Sequence, residues 1–173
     1  MIRRLLFRLW GLHKEDYLIR IGEHGKPLVE SRFTVWYNLS HSGDYIVAAF
    51  SHLEVGIDIE QKRKARMEVA RRFFHPAEIQ CLKIFQDELF FRYWSVKESF
   101  LKYTGSGLSS PLSGFEVRFD GHRPRIFQSE NLRNLSISAC PVDPAYKCFV
   151  CAETTEEPGI FPFLVPDLFL PDE

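Results

Sequence analysis

The chain has 173 residues, of which 45% are hydrophobic, a composition typical of an ordered globular protein that can bury a core. Its 22 basic and 23 acidic residues lack the general positive excess with which proteins grip nucleic-acid backbones. No apolar run approaches the roughly 18 residues that span a bilayer. The four cysteines are too few and too clustered for a secreted disulfide framework. The sequence therefore predicts a cytoplasmic protein with no membrane span and no nucleic-acid partner.

The predicted elements run from a helix to strands, then to helices, and then to strands again. An amphipathic helix opens the chain, and a turn follows at Gly25-Lys26-Pro27. Runs rich in β-branched and aromatic residues predict strands at residues 33–38, 45–50 and 55–60. Helical patterns cover residues 67–74, 77–85 and 87–103. Short antiparallel strands at residues 115–119, 125–128, 135–140 and 146–152 complete an α+β fold.

Two carboxylates alternate with apolar residues in the predicted strand over residues 55–60. Successive side chains of a strand point to opposite faces, so Asp58 and Glu60 share one face. Ile57 and Ile59 are then expected to face the core. Carboxylates on an exposed strand face are also ordinary surface residues, so this pair alone is a weak sign of a site.

A second acidic cluster lies in the predicted helix over residues 87–103. Trp94, Glu98 and Lys102 recur every four residues, which places them along one stripe of that helix. A Glu98–Lys102 pair at this spacing is also a common surface ion pair, worth about 0.2–0.5 kcal/mol. Mg²⁺ binds a few carboxylates together with substrate phosphates. The two acidic clusters, taken together, are therefore interpreted as halves of one metal site.

Five segments of the chain together resemble the Sfp-type 4′-phosphopantetheinyl transferases in their order and spacing. They are Gly25-Lys26-Pro27, Asn38-Leu39-Ser40-His41-Ser42-Gly43, Gly56-Ile57-Asp58-Ile59-Glu60, Arg72-Phe73-Phe74 with Glu78, and Trp94-Ser95-Val96-Lys97-Glu98-Ser99-Phe100-Leu101-Lys102. The resemblance covers roughly residues 1–155. It implies two pseudo-symmetric lobes, each with a small, mainly antiparallel sheet and a packed long helix.

The resemblance also predicts how the chain is divided. Residues 1–53 are expected to form the N-terminal lobe, which is incomplete because members of the family have a longer first lobe. Residues 54–155 are expected to form the C-terminal lobe with the metal and catalytic motifs. Residues 156–173 form a tail rich in proline and large apolar residues, which favours packing on the body over disorder. One compact, monomeric unit is expected.

The activity that the resemblance implies is transfer of the 4′-phosphopantetheine arm of coenzyme A to a serine of an apo acyl or peptidyl carrier protein. Coenzyme A is the implied substrate, Mg²⁺ the implied cofactor and adenosine 3′,5′-bisphosphate the implied product. The carrier protein is expected to belong to fatty acid, polyketide or nonribosomal peptide synthesis. Which of these it serves is not specified by the sequence.

By the same resemblance, Asp58, Glu60 and Glu98 are the implied metal ligands. Glu98 is also an implied catalytic base for the serine proton, with a metal-bound water as the alternative base. Lys102 is implied to be catalytic and to bind the phosphates of coenzyme A. Lys97 lies about 100° around the helix from Glu98 and is a weaker candidate for binding the phosphates.

The other implied contacts come from the first lobe and from one helix. Ser40 and His41 match the segment that binds a coenzyme A phosphate, and His41 is also counted as catalytic. A turn of short polar residues would explain the same segment without any ligand. Lys26 and Pro27 match the segment near the adenine and the ribose phosphate. Glu78 matches an acidic position near the site, although a solvent-facing helix glutamate would look the same.

Two other functions remain open from the residues alone. One is a catalytically impaired protein that binds coenzyme A or a carrier protein without turnover, which the intact acidic motifs disfavour. The other is a metal-dependent nuclease, since carboxylates with a lysine also serve phosphodiester hydrolysis. The lack of basic excess disfavours the nuclease.

Overall fold

The computed structural model describes residues 1–22, 25–84, 86–107, 110–128 and 135–153. The α-helices in this part of the chain are α1 (Ile2–Trp10), α2 (Met67–Phe73), α3 (Pro76–Leu82) and α4 (Gln86–Thr104). The strands are β1 (Leu18–Ile21), β2 (Pro27–Glu30), β3 (Thr34–Ser42), β4 (Tyr45–Ser51), β5 (Val55–Gln61), β6 (Glu116–Asp120), β7 (Arg123–Phe127), β8 (Leu135–Ala139) and β9 (Tyr146–Glu153). The predicted tail, residues 156–173, lies outside the described residues.

The described strands form three antiparallel sheets. Strands β1 to β4 make a meander in chain order, which we call the first sheet. In the second sheet β9 lies between β5 and β8, and β6 pairs with β7 in a separate hairpin. The predicted α+β class is confirmed. No helix among the described residues is long and apolar enough to cross a membrane.

The first sheet has its own small core beneath α1. Leu6 of α1 packs with Val29 and Val35, and all three side chains are fully buried. The helix ends at Gly11, whose φ of 64° is left-handed, and its N–H donates to the carbonyl oxygen of Phe7. All four residues of the edge strand β1 are exposed. The helix of this sheet is short, with nine residues.

The second sheet packs one face against α4, which has 19 residues. Phe90, Val96 and Phe100 of this helix belong to the largest buried apolar cluster of the described chain, together with Phe149 of β9. Gly56 of β5 lies against the backbone of α4, where an added Cβ would collide with main-chain atoms of Ser99 and Tyr103. Only glycine permits so close an approach of strand and helix at this point.

The other face of the second sheet packs against the first sheet. Ile57 and Ile59 of β5 are buried there, and Val47 and Ala49 of β4 pack on the cluster that contains them. Asp58 and Glu60 alternate with these residues and point to the face that α4 covers. The second sheet is thus enclosed between α4 and the first sheet. Strand β5 brings its carboxylates to the edge where these three layers meet.

Candidate active site

A cleft of about 430 Å³ opens between β3, β5 and α4. The residues that line it are Leu39, Ser40, His41, Asp58, Glu60, Trp94, Glu98 and Lys102. The two halves of the predicted metal site therefore meet in one place, and the predicted helical stripe of Trp94, Glu98 and Lys102 faces the carboxylates of β5. The first sheet contributes the third wall.

Asp58 is the most buried carboxylate of the cleft, with 4% of the residue exposed. Its Oδ1 atom accepts hydrogen bonds from Lys102 Nζ at 2.7 Å and from Ser40 Oγ at 3.0 Å. Its Oδ2 atom is buried and has no hydrogen-bond partner among the described residues. A buried carboxylate oxygen without a partner is costly, so this atom favours a ligand that supplies positive charge.

The three carboxylates of the cleft concentrate negative charge. Burial raises the pKa of Asp58, and the nearby Lys102 ammonium opposes that rise. Burial likewise raises the pKa values of Glu60 and Glu98, and the charge of Asp58 raises both further. Desolvation and mutual repulsion thus disfavour the ionised forms, a pattern common at functional sites. A bound cation would relieve both effects.

The carboxylates are not arranged as a finished metal cage. No group of three or more His, Cys, Asp or Glu side chains among the described residues has the geometry of a formed metal cluster. Asp58 instead directs one oxygen to Lys102. Mg²⁺ is usually held by one or two carboxylates with substrate phosphates and waters, rather than by an all-protein cage. The donor set fits an ion that binds together with a phosphorylated substrate.

Lys102 lines the cleft, with 28% of its side chain exposed. Its Nζ atom donates to Asp58 and also to Ser40 Oγ at 3.0 Å. The ammonium group is therefore oriented by two partners and still accessible from the cleft. Such a fixed, partly desolvated cation is suited to stabilise charge on a phosphate group.

The two residues of β3 predicted to contact a ligand, Ser40 and His41, differ in their surroundings. His41 is exposed at the cleft wall, where it is free to meet a ligand in solution. Ser40 is buried, and its hydroxyl already donates to Asp58 while it accepts from Lys102 and from the amide of Ile59. A hydroxyl has one proton to donate. In this arrangement the Ser40 hydroxyl is therefore hydrogen-bonded to the protein's own groups.

Lys26 and Pro27 lie outside the residues that line the cleft. Lys26 is 6% exposed, and its Nζ atom donates to the carbonyl oxygen of Tyr103 at 2.6 Å. It also contacts Glu54 at 3.5 Å and lies 5.5 Å from the ring of Trp36. The amine thus binds the C-terminal end of α4, where a cation is favourable.

Glu78 of α3 and Lys97 of α4 do not line the cleft either. Lys97 Nζ lies 2.9 Å from Glu78 Oε1, and both side chains are completely or almost completely buried. The ammonium also donates to the carbonyl oxygens of Leu112 and Phe115 at 2.7 and 2.8 Å. The pair is a buried structural link, so Glu78 does not face solvent. Lys97 points into the interior and does not line the cleft.

Two polar residues that bond to the acidic residues of the cleft, Ser42 and Ser95, were not predicted from the sequence. Ser42 donates to Glu60 Oε2 at 3.3 Å, and Ser95 donates to the backbone oxygen of Asp58 at 2.9 Å. The signal available for Ser42 was the alternation of Asn38, Ser40 and Ser42 along one strand. Ser95 gave no comparable signal, because its role depends on how closely α4 approaches β5.

Comparison with known proteins identifies the family. Residues 54–151 match the 4′-phosphopantetheinyl transferase superfamily. The chain is 37% identical over 164 residues to the 4′-phosphopantetheinyl transferase Sfp of Bacillus subtilis (strain 168), covering 91% of this chain and 73% of that protein. It is 35% identical over 157 residues to the 4′-phosphopantetheinyl transferase psf-1 of Bacillus pumilus, covering 87% and 67% of the two chains.

A weaker likeness links the chain to a solved structure. The crystal structure of Thermotoga maritima holo-[acyl-carrier-protein] synthase gives a TM-score of 0.49 at 18% identity, covering 59% of this chain and 64% of that chain. The assignment rests on the sequence matches. The chain belongs to the 4′-phosphopantetheinyl transferase superfamily. Its identity to the Bacillus proteins places it with the Sfp-type members and confirms the resemblance of its motifs.

Proposed function

We propose that this chain transfers the 4′-phosphopantetheine arm of coenzyme A to a serine hydroxyl of an apo carrier protein, in the presence of Mg²⁺. The names of its relatives specify the group transferred. The observation that carries the proposal is the convergence of Asp58, Glu60, Glu98 and Lys102 on one cleft, with the buried Oδ2 atom of Asp58 left without a partner.

The donor set supports Mg²⁺ as the metal. Asp58, Glu60 and Glu98 would hold it, because they offer only hard carboxylate oxygens in a half-enclosed site. A Mg²⁺ ion held there would neutralise charge on the diphosphate of coenzyme A as the bridging oxygen of that diphosphate leaves. Lys102 already contacts Oδ1 of Asp58, and Oδ2 is left for the metal.

The reaction then uses the chain's own residues in distinct roles. The carrier serine oxygen forms a bond to the phosphorus that carries the pantetheine arm, and the phosphorus–oxygen bond to adenosine 3′,5′-bisphosphate breaks. Glu98, which lines the cleft beside the other two carboxylates, accepts the serine proton. Lys102 stabilises the negative charge that moves to the leaving phosphate. His41, exposed at the cleft wall, binds a phosphate group of coenzyme A.

Intact mass spectrometry of apo acyl and peptidyl carrier proteins tests the proposal. Each carrier is incubated with this chain, coenzyme A and Mg²⁺, and a gain of one phosphopantetheine group is the expected result. The control is Asp58→Asn, which keeps the shape of the side chain and removes its charge. A folded protein that leaves every carrier unmodified, beside a working control transferase, would refute the activity.

A further inference from the structure

The two sheets are joined along β3 and β5 by side chains rather than by a backbone ladder. Alternate residues of β3 accept hydrogen bonds from alternate amides of β5, on the edge of β5 that does not pair with β9. The three bonds, which we call the rungs, run from Ile57 N to Asn38 Oδ1 at 3.0 Å, from Ile59 N to Ser40 Oγ at 3.3 Å, and from Gln61 N to Ser42 Oγ at 3.0 Å.

Two of the rungs are also bonded to the carboxylates of the cleft. Ser40 Oγ accepts from Ile59 N and donates to Asp58, while Ser42 Oγ accepts from Gln61 N and donates to Glu60. The arrangement is the same in both cases. Each serine oxygen accepts a hydrogen bond from the amide of one β5 residue. Its hydroxyl donates a hydrogen bond to the carboxylate of the residue that precedes that amide in β5.

The remaining rung lacks this second bond for a simple reason. The residue that precedes Ile57 is Gly56, which has no side chain. Asn38 therefore satisfies an amide of β5 without touching a carboxylate. The chain thus contains an internal comparison between rungs that hold a carboxylate and a rung that does not.

The direction of these hydrogen bonds defines what the serines do. An amide N–H can only donate, so each serine oxygen accepts from β5 and its single proton is left for the carboxylate. Ser40 fixes Oδ1 of Asp58 in this way, and Oδ2 stays uncommitted. Ser42 fixes Oε2 of Glu60. Hydrogen bonds of this kind orient metal-binding carboxylates.

We infer that Ser40 and Ser42 are positioning residues that set Asp58 and Glu60 for metal binding from the first sheet. This inference rests on the proposed function. It assigns the polar positions of the Asn38-Leu39-Ser40-His41-Ser42 segment to the protein's own carboxylates, and leaves the intervening His41 for the ligand. The first sheet then contributes to metal affinity without supplying a metal ligand.

The test is Mn²⁺ binding, measured by electron paramagnetic resonance with saturating coenzyme A and no carrier protein, so that no turnover occurs. Ser40→Ala and Ser42→Ala are each expected to weaken Mn²⁺ binding by about 10- to 100-fold. Ser42→Thr keeps the hydroxyl and is expected to retain the affinity. Asn38→Ala removes a rung of the same kind and is expected to lower the melting temperature with Mn²⁺ affinity unchanged.

The outcomes separate this inference from the proposed function. Unmodified protein that binds Mn²⁺, with equal affinity in both serine variants, overturns the positioning role alone. Equal weakening in Asn38→Ala and Ser42→Ala also overturns it, because the effect then belongs to docking of the sheets. Unmodified protein that binds no Mn²⁺ overturns the metal site of the proposed function, and the inference with it. If Ser40→Ala fails to fold, the partly exposed Ser42 decides the question.

Discussion

The ammonium of Lys97 and the carboxylate of Glu78 lie 2.9 Å apart in the interior, with 0% and 1% of their side chains exposed. Each charge is further satisfied by the backbone. Glu78 accepts from the amides of Val117 and His75 at 2.7 and 2.9 Å, and Lys97 donates to two carbonyl oxygens. The pair therefore links α3, α4 and β6 through one polar centre inside an apolar cluster.

Removal of one partner of this pair is expected to be strongly destabilising. Lys97→Met leaves the carboxylate of Glu78 buried without its cation, which costs about 3–5 kcal/mol. Urea unfolding followed by circular dichroism measures the loss. The double variant Lys97→Met with Glu78→Gln should recover part of it, because neither partner is then charged. A free energy of unfolding for Lys97→Met within about 1 kcal/mol of that of the unmodified protein would contradict the structural role, because surface substitutions have effects of about that size.

Gly56→Ala is expected to separate β5 from α4. The added Cβ would collide with backbone atoms of Ser99 and Tyr103, which cannot rotate away as a side chain could. We expect a loss of about 3 kcal/mol or more, at the upper end of overpacking effects. Gly114→Ala is the matched control, because its Cβ would meet only Pro111 at 3.4 Å, an ordinary contact. Similar melting temperatures for the two variants would argue against the close approach.

Glu98→Gln is expected to stabilise the metal-free protein at neutral pH. Burial, followed by the charge of Asp58, raises the pKa of Glu98 in the folded state. A raised pKa means that its stabilising contribution is full below the unfolded pKa, about 4.3, and is lost as the pH rises through the folded pKa. The variant avoids that loss. We therefore expect the variant to have a higher melting temperature than the unmodified protein at pH 7.

The pH dependence provides the check on this prediction. With a chelator present, the gain from Glu98→Gln should shrink as the pH falls and should vanish below about 4, where the glutamate becomes protonated in both states. Differential scanning calorimetry across that range records it. A variant less stable than the unmodified protein at pH 7 would show that Glu98 does not carry unfavourable charge in the fold.

Lys102→Met is expected to act on turnover more than on binding. The change keeps most of the side-chain length and removes the cation that contacts Asp58 and faces the cleft. We expect kcat for phosphopantetheine transfer to fall by about 100- to 1,000-fold, with a smaller change in KM for coenzyme A. The exposed Lys83 offers a control in Lys83→Met. A near-normal kcat would remove Lys102 from the reaction.

Lys26→Met distinguishes a structural lysine from a ligand-binding one. Its amine is committed to the carbonyl of Tyr103 at the end of α4. We expect a stability loss of about 1–3 kcal/mol and an unchanged KM for coenzyme A. Unfolding and steady-state kinetics on the same preparation provide both values. A raised KM with intact stability would instead support the nucleotide contact that the family resemblance implies.

Local patterns predicted much of the fold. Strands expected at residues 33–38, 45–50 and 55–60 correspond to β3, β4 and β5, and the long helix is within one residue of its expected ends. The strands that were missed, β1 and β2, have four residues each. In β1 both faces are exposed, so no alternation of apolar and polar residues marks it.

The candidate site was predictable where it depends on spacing within one element. Asp58 with Glu60, and Glu98 with Lys102, follow from periods of two and of about 3.6 residues. The partners of those groups depend on contacts between elements, and a single sequence does not reveal them. The same limit applies to Lys97, since lysine is almost never fully buried unless paired, and its partner Glu78 lies on another helix.

The rungs between β3 and β5 have a consequence for the order of folding. Each joins residues 19 positions apart, and Lys102 reaches Asp58 and Ser40 across 44 and 62 positions. Closing the loop between residues that are far apart in the chain costs entropy, so we expect these contacts to form after the local hydrogen bonds of a helix. The amides of Ile57, Ile59 and Gln61 are thus natural reporters of sheet docking. In pulse-labelling hydrogen exchange they should gain protection after the amides of α4, and earlier protection would reverse this order.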